Sequence, residues 1–158
     1  MDYAEEIGKI LLERNWKIST TESCTGGLLS SKLTDISGSS AYITLNLITY
    51  ANEAKQRMLN VTKDTLDKQG AVSEECAFEM AKGLYELTGS DICVSTTGIA
   101  GPTGGTPEKP VGLMYSCIYT KDRFEIYKIL VSQNLTRIEI KDLFSEKILE
   151  KIYLFLNK

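Results

Sequence analysis

Trp16-Lys17-Ile18-Ser19-Thr20 runs into Thr21-Glu22-Ser23-Cys24-Thr25-Gly26-Gly27, and Leu28, Leu29 and Leu33 follow at helical spacing. Residues 16–20 read as a short strand, 21–27 as a polar turn containing glycine, and the leucines as the buried face of a helix. The unit is therefore strand, loop, helix. Upstream, Tyr3, Ile7, Ile10 and Leu11 recur at helical spacing behind Asp2, a good N-cap, which predicts an opening amphipathic helix. Downstream, a Gly38-Ser39-Ser40 turn precedes a β-rich run over 41–51, and Asn52 is placed to cap a short helix bearing Glu53, Lys55 and Arg57.

The same alternation continues to the C-terminus. Ser73 starts a helix whose stripe is Ala77, Met80, Ala81, Leu84 and Leu87, and Gly89 stops it. Residues 92–96 form a short apolar strand that enters a glycine-dense loop over 97–107. Residues 111–120 and 123–132 pair as a hairpin around Lys121-Asp122. Thr136 and Glu139 make a capping box for a last helix with Phe144, Ile148, Leu149, Ile152 and Phe155 on one face. Helices distributed among strands in this order predict an α/β fold: one domain over 1–158, built as a three-layer α/β/α sandwich with a mixed sheet.

Composition narrows the chemistry. A chain of 158 residues with 42% hydrophobic residues is large enough to bury roughly 70% of its unfolded surface without staples. Its four cysteines form no C-x-x-C pair and it has no histidine, so neither a structural zinc nor any metal or other cofactor is expected. The missing histidine also excludes Ser-His-Asp and Cys-His mechanisms and every histidine general base. A net charge of −3, without a basic block, argues against nucleic acid as a partner. No apolar run suits a signal peptide or a membrane span, so a cytoplasmic protein with free thiols and no membrane association is expected.

Two glycine-rich loops follow predicted strands, where ligands sit in open α/β sheets. Neither is a P-loop or a G-x-G-x-x-G fingerprint. Ser23 in the first loop is a candidate nucleophile and Cys24 its rival, although no histidine could pair with the thiol. A serine then needs a base, and a lysine with a depressed pKa is the remaining choice; Lys55 is favoured, with Arg57 near enough in sequence to add positive field. Taken alone, Ser23 also fits a helix N-cap and Lys55 a solvated helix lysine. Spacing does not decide between these readings.

Six ordered strings extend the comparison: Thr21-Glu22-Ser23-Cys24-Thr25-Gly26-Gly27, Gly38-Ser39-Ser40-Ala41, Thr49-Tyr50-Ala51-Asn52-Glu53-Ala54-Lys55, Gly70-Ala71-Val72-Ser73-Glu74, Thr97-Gly98-Ile99-Ala100-Gly101-Pro102, and Gly104-Gly105-Thr106-Pro107-Glu108-Lys109-Pro110-Val111-Gly112. Together they resemble the C-terminal domain of the CinA competence/damage-inducible family over essentially the whole chain. The resemblance implies nicotinamide mononucleotide deamidase activity, releasing ammonia and nicotinic acid mononucleotide for NAD recycling.

It also implies a serine-lysine pair at Ser23 and Lys55, supported by Tyr50, Thr97 and Arg137. Tyr50 and Thr97 are expected to hold or relay protons near the pair. The expected substrate contacts are Thr25, Gly26, Gly27, Ser39, Asn52, Gly98, Gly101, Gly104 and Gly105. Backbone N–H groups around residues 23–26 or Gly98 are candidate oxyanion donors. The approach to Arg137, Gln133-Asn134-Leu135-Thr136, carries two residues more than the usual family turn. Longer members have an N-terminal domain described as a pyrophosphatase, whose activity is not transferred to these residues. A homo-oligomer, with a dimer favoured, is expected because the family commonly associates. The alternative is a non-catalytic nucleotide-binding regulatory module, and a link to competence or DNA repair rests only on the family name.

Overall fold

Strand β1 (Ile18–Glu22) is buried at every residue, although four of the five are polar. The computed structural model, which describes residues 1–158, shows how each polar side chain finds a partner. Ser19 Oγ lies 2.8 Å from Ser90 Oγ, Thr20 Oγ1 2.8 Å from Ser30 Oγ, and Thr21 Oγ1 2.8 Å from Thr49 Oγ1. Paired hydroxyls escape the penalty of a buried, unmade hydrogen bond. Hydropathy therefore underestimates the strand, which runs two residues further than the expected 16–20. Its start is later as well, because Asn15 in the left-handed conformation (φ 55°) ends helix α1 (Tyr3–Arg14) and the chain must turn before pairing.

β1 pairs in parallel with β2 (Ile43–Ile48) on one side and with β3 (Ile92–Gly98) on the other. β4 (Leu113–Thr120) runs antiparallel to β3, and β5 (Phe124–Leu130) antiparallel to β4, giving the order β2-β1-β3-β4-β5. One face is covered by α1, α2 (Leu28–Thr34) and α6 (Arg137–Leu156) over the larger apolar cluster, which includes Leu29, Met114, Phe144 and Ile148. α3 (Asn52–Leu59), α4 (Lys63–Lys68) and α5 (Glu74–Thr88) lie on the other face, where Leu59, Met80, Leu84 and Cys93 pack together. The fold is the expected three-layer α/β/α domain with a mixed sheet. No helix is long and apolar enough to cross a membrane.

Caps set several boundaries as the sequence predicts. Ser73 Oγ accepts from Cys76 N at 3.1 Å, Gly89 takes φ 65° at the end of α5, and the Thr136–Glu139 capping box is formed. Three details differ. Ala51, not Asn52, is the N-cap of α3, so Asn52 is already inside the helix and its side chain caps nothing. The run expected at 41–51 is extended only over β2, because Ser39–Ala41 form a 3-10 turn. α4 was not expected: six residues are too few to display an apolar stripe, and its signal is only Thr62, whose hydroxyl accepts from Thr65 N.

α3 and α5 touch where α5 offers no side chain. A Cβ added to Gly83 would lie 1.9 Å from the carbonyl oxygen of Leu59. Gly83→Ala is therefore expected to force the two helices apart and to destabilise the fold by about 2–3 kcal/mol, read as a lower urea midpoint at unchanged slope. The contact also matters for the site, since α3 carries Lys55.

Candidate active site

The carboxyl ends of the parallel strands open onto a cavity of about 280 Å³, the usual ligand position in such sheets. Ser23 follows β1 directly, and Lys55 lies in the first turns of α3, reached from the end of β2. Lys55 is 1% exposed, and its Nζ lies 3.0 Å from Ser23 Oγ. The same Nζ donates to the backbone oxygens of Thr49 and Tyr50, each at 2.9 Å. Thr49 is held in turn by its N–H to Glu22 O at 2.9 Å and by its hydroxyl to Thr21. The lysine is thus aimed by backbone that is tied to β1.

Burial lowers the Lys55 pKa below its ordinary 10.5, since the charged form loses hydration and no carboxylate stands near to replace it. Arg57 is not the cause. It points into solvent and pairs with Glu53 at 3.4 Å, so the expected positive field is replaced by desolvation. A neutral amine suits the geometry: its two N–H bonds meet the two carbonyls, and its lone pair is left for the Ser23 O–H. Cys24, the rival nucleophile, is 6% exposed, and burial pushes its thiol up to about 12. It is a protonated thiol at neutral pH and a poor nucleophile.

Arg137 opens α6 and does reach the cavity despite the longer approach before it. Its guanidinium donates to Gly101 O at 2.6 Å and to Tyr50 Oη at 3.1 Å. Tyr50 and Thr97 line the same cavity, but their hydroxyls make no bond to Ser23 or Lys55. The Tyr50 hydroxyl meets Arg137, and Thr97 Oγ1 donates to Ala71 O at 2.7 Å. The expected proton relay through these two hydroxyls is not formed; the Tyr50 carbonyl, rather than its ring, touches the pair.

Asn52, Gly98, Gly101 and Gly104 also line the cavity. Thr25, Gly26 and Gly27 do not: they border a separate depression beside Ile138 and Lys141. Ser39 is remote, since its 3-10 turn precedes the start of β2 and the site lies beyond the other end of the sheet. Gly105 is exposed and does not line the cavity, and a Cβ added to it would lie 2.8 Å from Val111 N. Among the candidate oxyanion donors, Ser23 N is committed to Thr96 O at 3.0 Å and Gly26 N to Ser23 O at 3.1 Å, whereas Cys24 N makes no hydrogen bond within the chain.

Glu22 was not singled out from the sequence, although it precedes the nucleophile. Fully buried, its carboxylate accepts from Thr25 Oγ1 at 2.6 Å, Leu29 N at 2.9 Å and Ser30 N at 3.0 Å. It thereby supplies the N-terminal cap of α2 that Gly27 cannot, and clamps the 23–27 turn. No group of three or more Cys, Asp or Glu side chains is arranged to hold a metal ion.

A family model described as the CinA C-terminal domain matches residues 1–156. The chain is 46% identical over 154 residues to a CinA-like protein of Chlorobium chlorochromatii, covering 98% of this chain and 36% of that protein. It is 57% identical over 114 residues to a CinA-like protein of Chloroherpeton thalassium, covering 72% of this chain and 27% of that one. The chain thus spans about a third or less of the length of these curated relatives. Among solved structures, the competence/damage inducible protein CihA from Agrobacterium tumefaciens is similar at TM-score 0.92 and 36% identity, covering 100% of this chain and 97% of that chain.

Proposed function

The chain belongs to the CinA C-terminal domain family, and on that premise we propose that it hydrolyses the carboxamide of nicotinamide mononucleotide to nicotinic acid mononucleotide and ammonia. One observation carries the reading: a buried lysine with a lowered pKa lies 3.0 Å from a serine hydroxyl at the cavity wall. A serine so placed can act as a nucleophile without histidine.

In this mechanism Ser23 Oγ attacks the carboxamide carbon as Lys55 takes its proton. The oxygen of the tetrahedral intermediate turns toward the Cys24 N–H, the donor following the nucleophile. Lys55 then returns the proton to the departing nitrogen, so ammonia leaves and an acyl-enzyme remains. Water, deprotonated by the same lysine, attacks the ester carbon; collapse releases the carboxylic acid product and restores Ser23. Thr49 O and Tyr50 O favour the protonated lysine during each transfer, while burial favours its return to the neutral form.

The direct test is ammonia release from nicotinamide mononucleotide by the purified chain, with and without a chelator. Turnover at equal rates in both arms is the expected result. A folded protein that binds the nucleotide but yields no ammonia overturns the reading and leaves a non-catalytic binding module.

Arg137 supplies a second check. Two of its nitrogens are held by Gly101 O and Tyr50 Oη, which leaves N–H groups of a fixed planar fork for a phosphate. Lysine cannot keep both anchors and the anion contact. Arg137→Lys is expected to lower kcat/KM on the nucleotide roughly tenfold to a hundredfold, with a smaller loss on the phosphate-free riboside. Equal losses on both substrates would place Arg137 at the reacting centre instead.

A further inference from the structure

Glu22 is fully buried, yet no cation pairs with its carboxylate. Every donor that it meets is neutral: Thr25 Oγ1 and Leu29 N at Oε1, Ser30 N and Ser30 Oγ at Oε2. A carboxylate only accepts, so all four hydrogens point at it.

That one-way demand passes along the neighbouring hydroxyls. Thr25 has a single hydroxyl hydrogen, and at 2.6 Å from Glu22 Oε1 it is spent there. Thr25 Oγ1 also lies 2.8 Å from Thr96 Oγ1, a contact in which either oxygen could donate. With the Thr25 hydrogen committed, Thr96 is the donor. The lone pairs of Thr96 Oγ1 are then what face Ser23 N, the amide of the nucleophile, at 3.3 Å. The same N–H meets Thr96 O at 3.0 Å. Glu22, Thr25 and Thr96 are all fully buried, out of reach of bulk water that could replace a lost link.

We propose that Glu22, Thr25 and Thr96 form a relay of fixed direction that positions the nucleophile: the Ser23 N–H donates to Thr96, the Thr96 hydroxyl to Thr25, and the Thr25 hydroxyl to Glu22. The inference rests on the serine chemistry proposed above. Hydrogen bonds arranged head to tail polarise and strengthen one another. Thr96 supplies both acceptors for the Ser23 amide and so ties that residue to β3, with its hydroxyl 3.0 Å from Lys55 Nζ. The next amide, Cys24 N, is the one left without a partner in the chain. None of the three relay residues lines the cavity; they are positioning residues that act through Ser23.

Ser30 separates this role from the capping of α2. Its hydroxyl reaches the same carboxylate from the helix side and lies outside the relay.

The test is steady-state ammonia release from nicotinamide mononucleotide by the 158-residue chain. Thr25→Val keeps the shape of the side chain and deletes the middle link. It is expected to lower kcat about tenfold to a hundredfold at little changed KM, the loss that a small misplacement of a reacting group produces. Thr25→Ser is expected to return most of it, and Thr96→Val, with Thr96→Ser as its rescue, repeats the test from the next link. Ser30→Ala is expected to lower the urea midpoint and to leave kcat close to that of the wild type. Because Thr25 acts on Ser23 through Thr96, the Thr25→Val/Thr96→Val double variant is expected to lose no more than Thr96→Val alone, where independent effects would multiply.

Amide exchange at Ser23, followed by NMR without substrate, is expected to quicken in both valine variants and not in Ser30→Ala. A wild-type chain that releases no ammonia removes the deamidase reading, and exchange then decides the relay: an unchanged rate in both valine variants overturns it. With turnover present, three results overturn the relay while the deamidase reading stands. They are a Thr25→Val enzyme as fast as the wild type, multiplied losses in the double variant, and a kcat loss in Ser30→Ala equal to that in Thr25→Val.

Discussion

Ser23→Ala is expected to reduce ammonia release from nicotinamide mononucleotide about ten-thousand-fold or more, with the fold intact, whereas Cys24→Ala retains activity within about tenfold. Adjacent in sequence, the two residues are separated by burial. Ser23 Oγ reaches both the cavity and Lys55, while the Cys24 thiol is buried with its pKa pushed up to about 12. A thiol held protonated lacks the thiolate that would make it the stronger nucleophile. Alanine at 23 removes an oxygen from the cavity wall and no core packing, so its thermal midpoint should stay close to that of the wild type. Steady-state kinetics on both variants decide the matter, and mass spectrometry of a trapped adduct locates it. The opposite ranking would reassign the nucleophile to Cys24.

Lys55→Met is expected to lower kcat by about a hundredfold to ten-thousandfold, the usual contribution of a general base, and to remove the rise of rate with pH that deprotonation of the lysine produces. It also leaves a signature in stability. Because the folded-state pKa of Lys55 lies below its ordinary 10.5, the unfolded chain binds more protons than the native one between those two values. Unfolding free energy therefore rises with pH through that interval, fully present above 10.5 and lost as pH falls through the folded pKa. The buried thiols of Cys24, Cys76, Cys93 and Cys117, all raised from 9.0, act in the opposite direction at alkaline pH. They are common to both proteins. The difference between wild type and Lys55→Met in urea melts at neutral and alkaline pH reports the lysine together with Cys24 and Cys76, whose pKa values its charge lowers, and both effects make it grow in favour of the wild type as pH rises. A difference that does not change with pH would mean that Lys55 keeps its proton, and would remove the base from the proposed mechanism.

The three-to-four-residue apolar spacing of α1, α5 and α6, with Asp2, Ser73, Thr136 and Gly89 at their ends, determined those helices from local pattern alone. Caps and stripes are encoded within a few residues of where they act. The lack of any histidine likewise excluded histidine bases, and the two glycine-rich loops after β1 and β3 marked where a ligand could sit, but the serine-lysine pair itself came from the resemblance to the CinA family rather than from spacing. The order β2-β1-β3 then decided what sequence spacing could not. By setting β1 beside both parallel neighbours, it brings Ser23 within reach of Lys55, 32 positions later, and presents Thr49 O and Tyr50 O to that lysine.

Tertiary structure also reassigned roles. It sent the hydroxyls of Tyr50 and Thr97 to Arg137 and Ala71, removed Ser39 to the opposite end of the sheet, and buried Glu22 as the cap of α2. The lowered pKa of Lys55 comes from the layer closing over it rather than from Arg57 two residues away. Desolvation and hydrogen-bond partnership depend on which surfaces the fold brings together, and residues distant in the chain supply most of those surfaces.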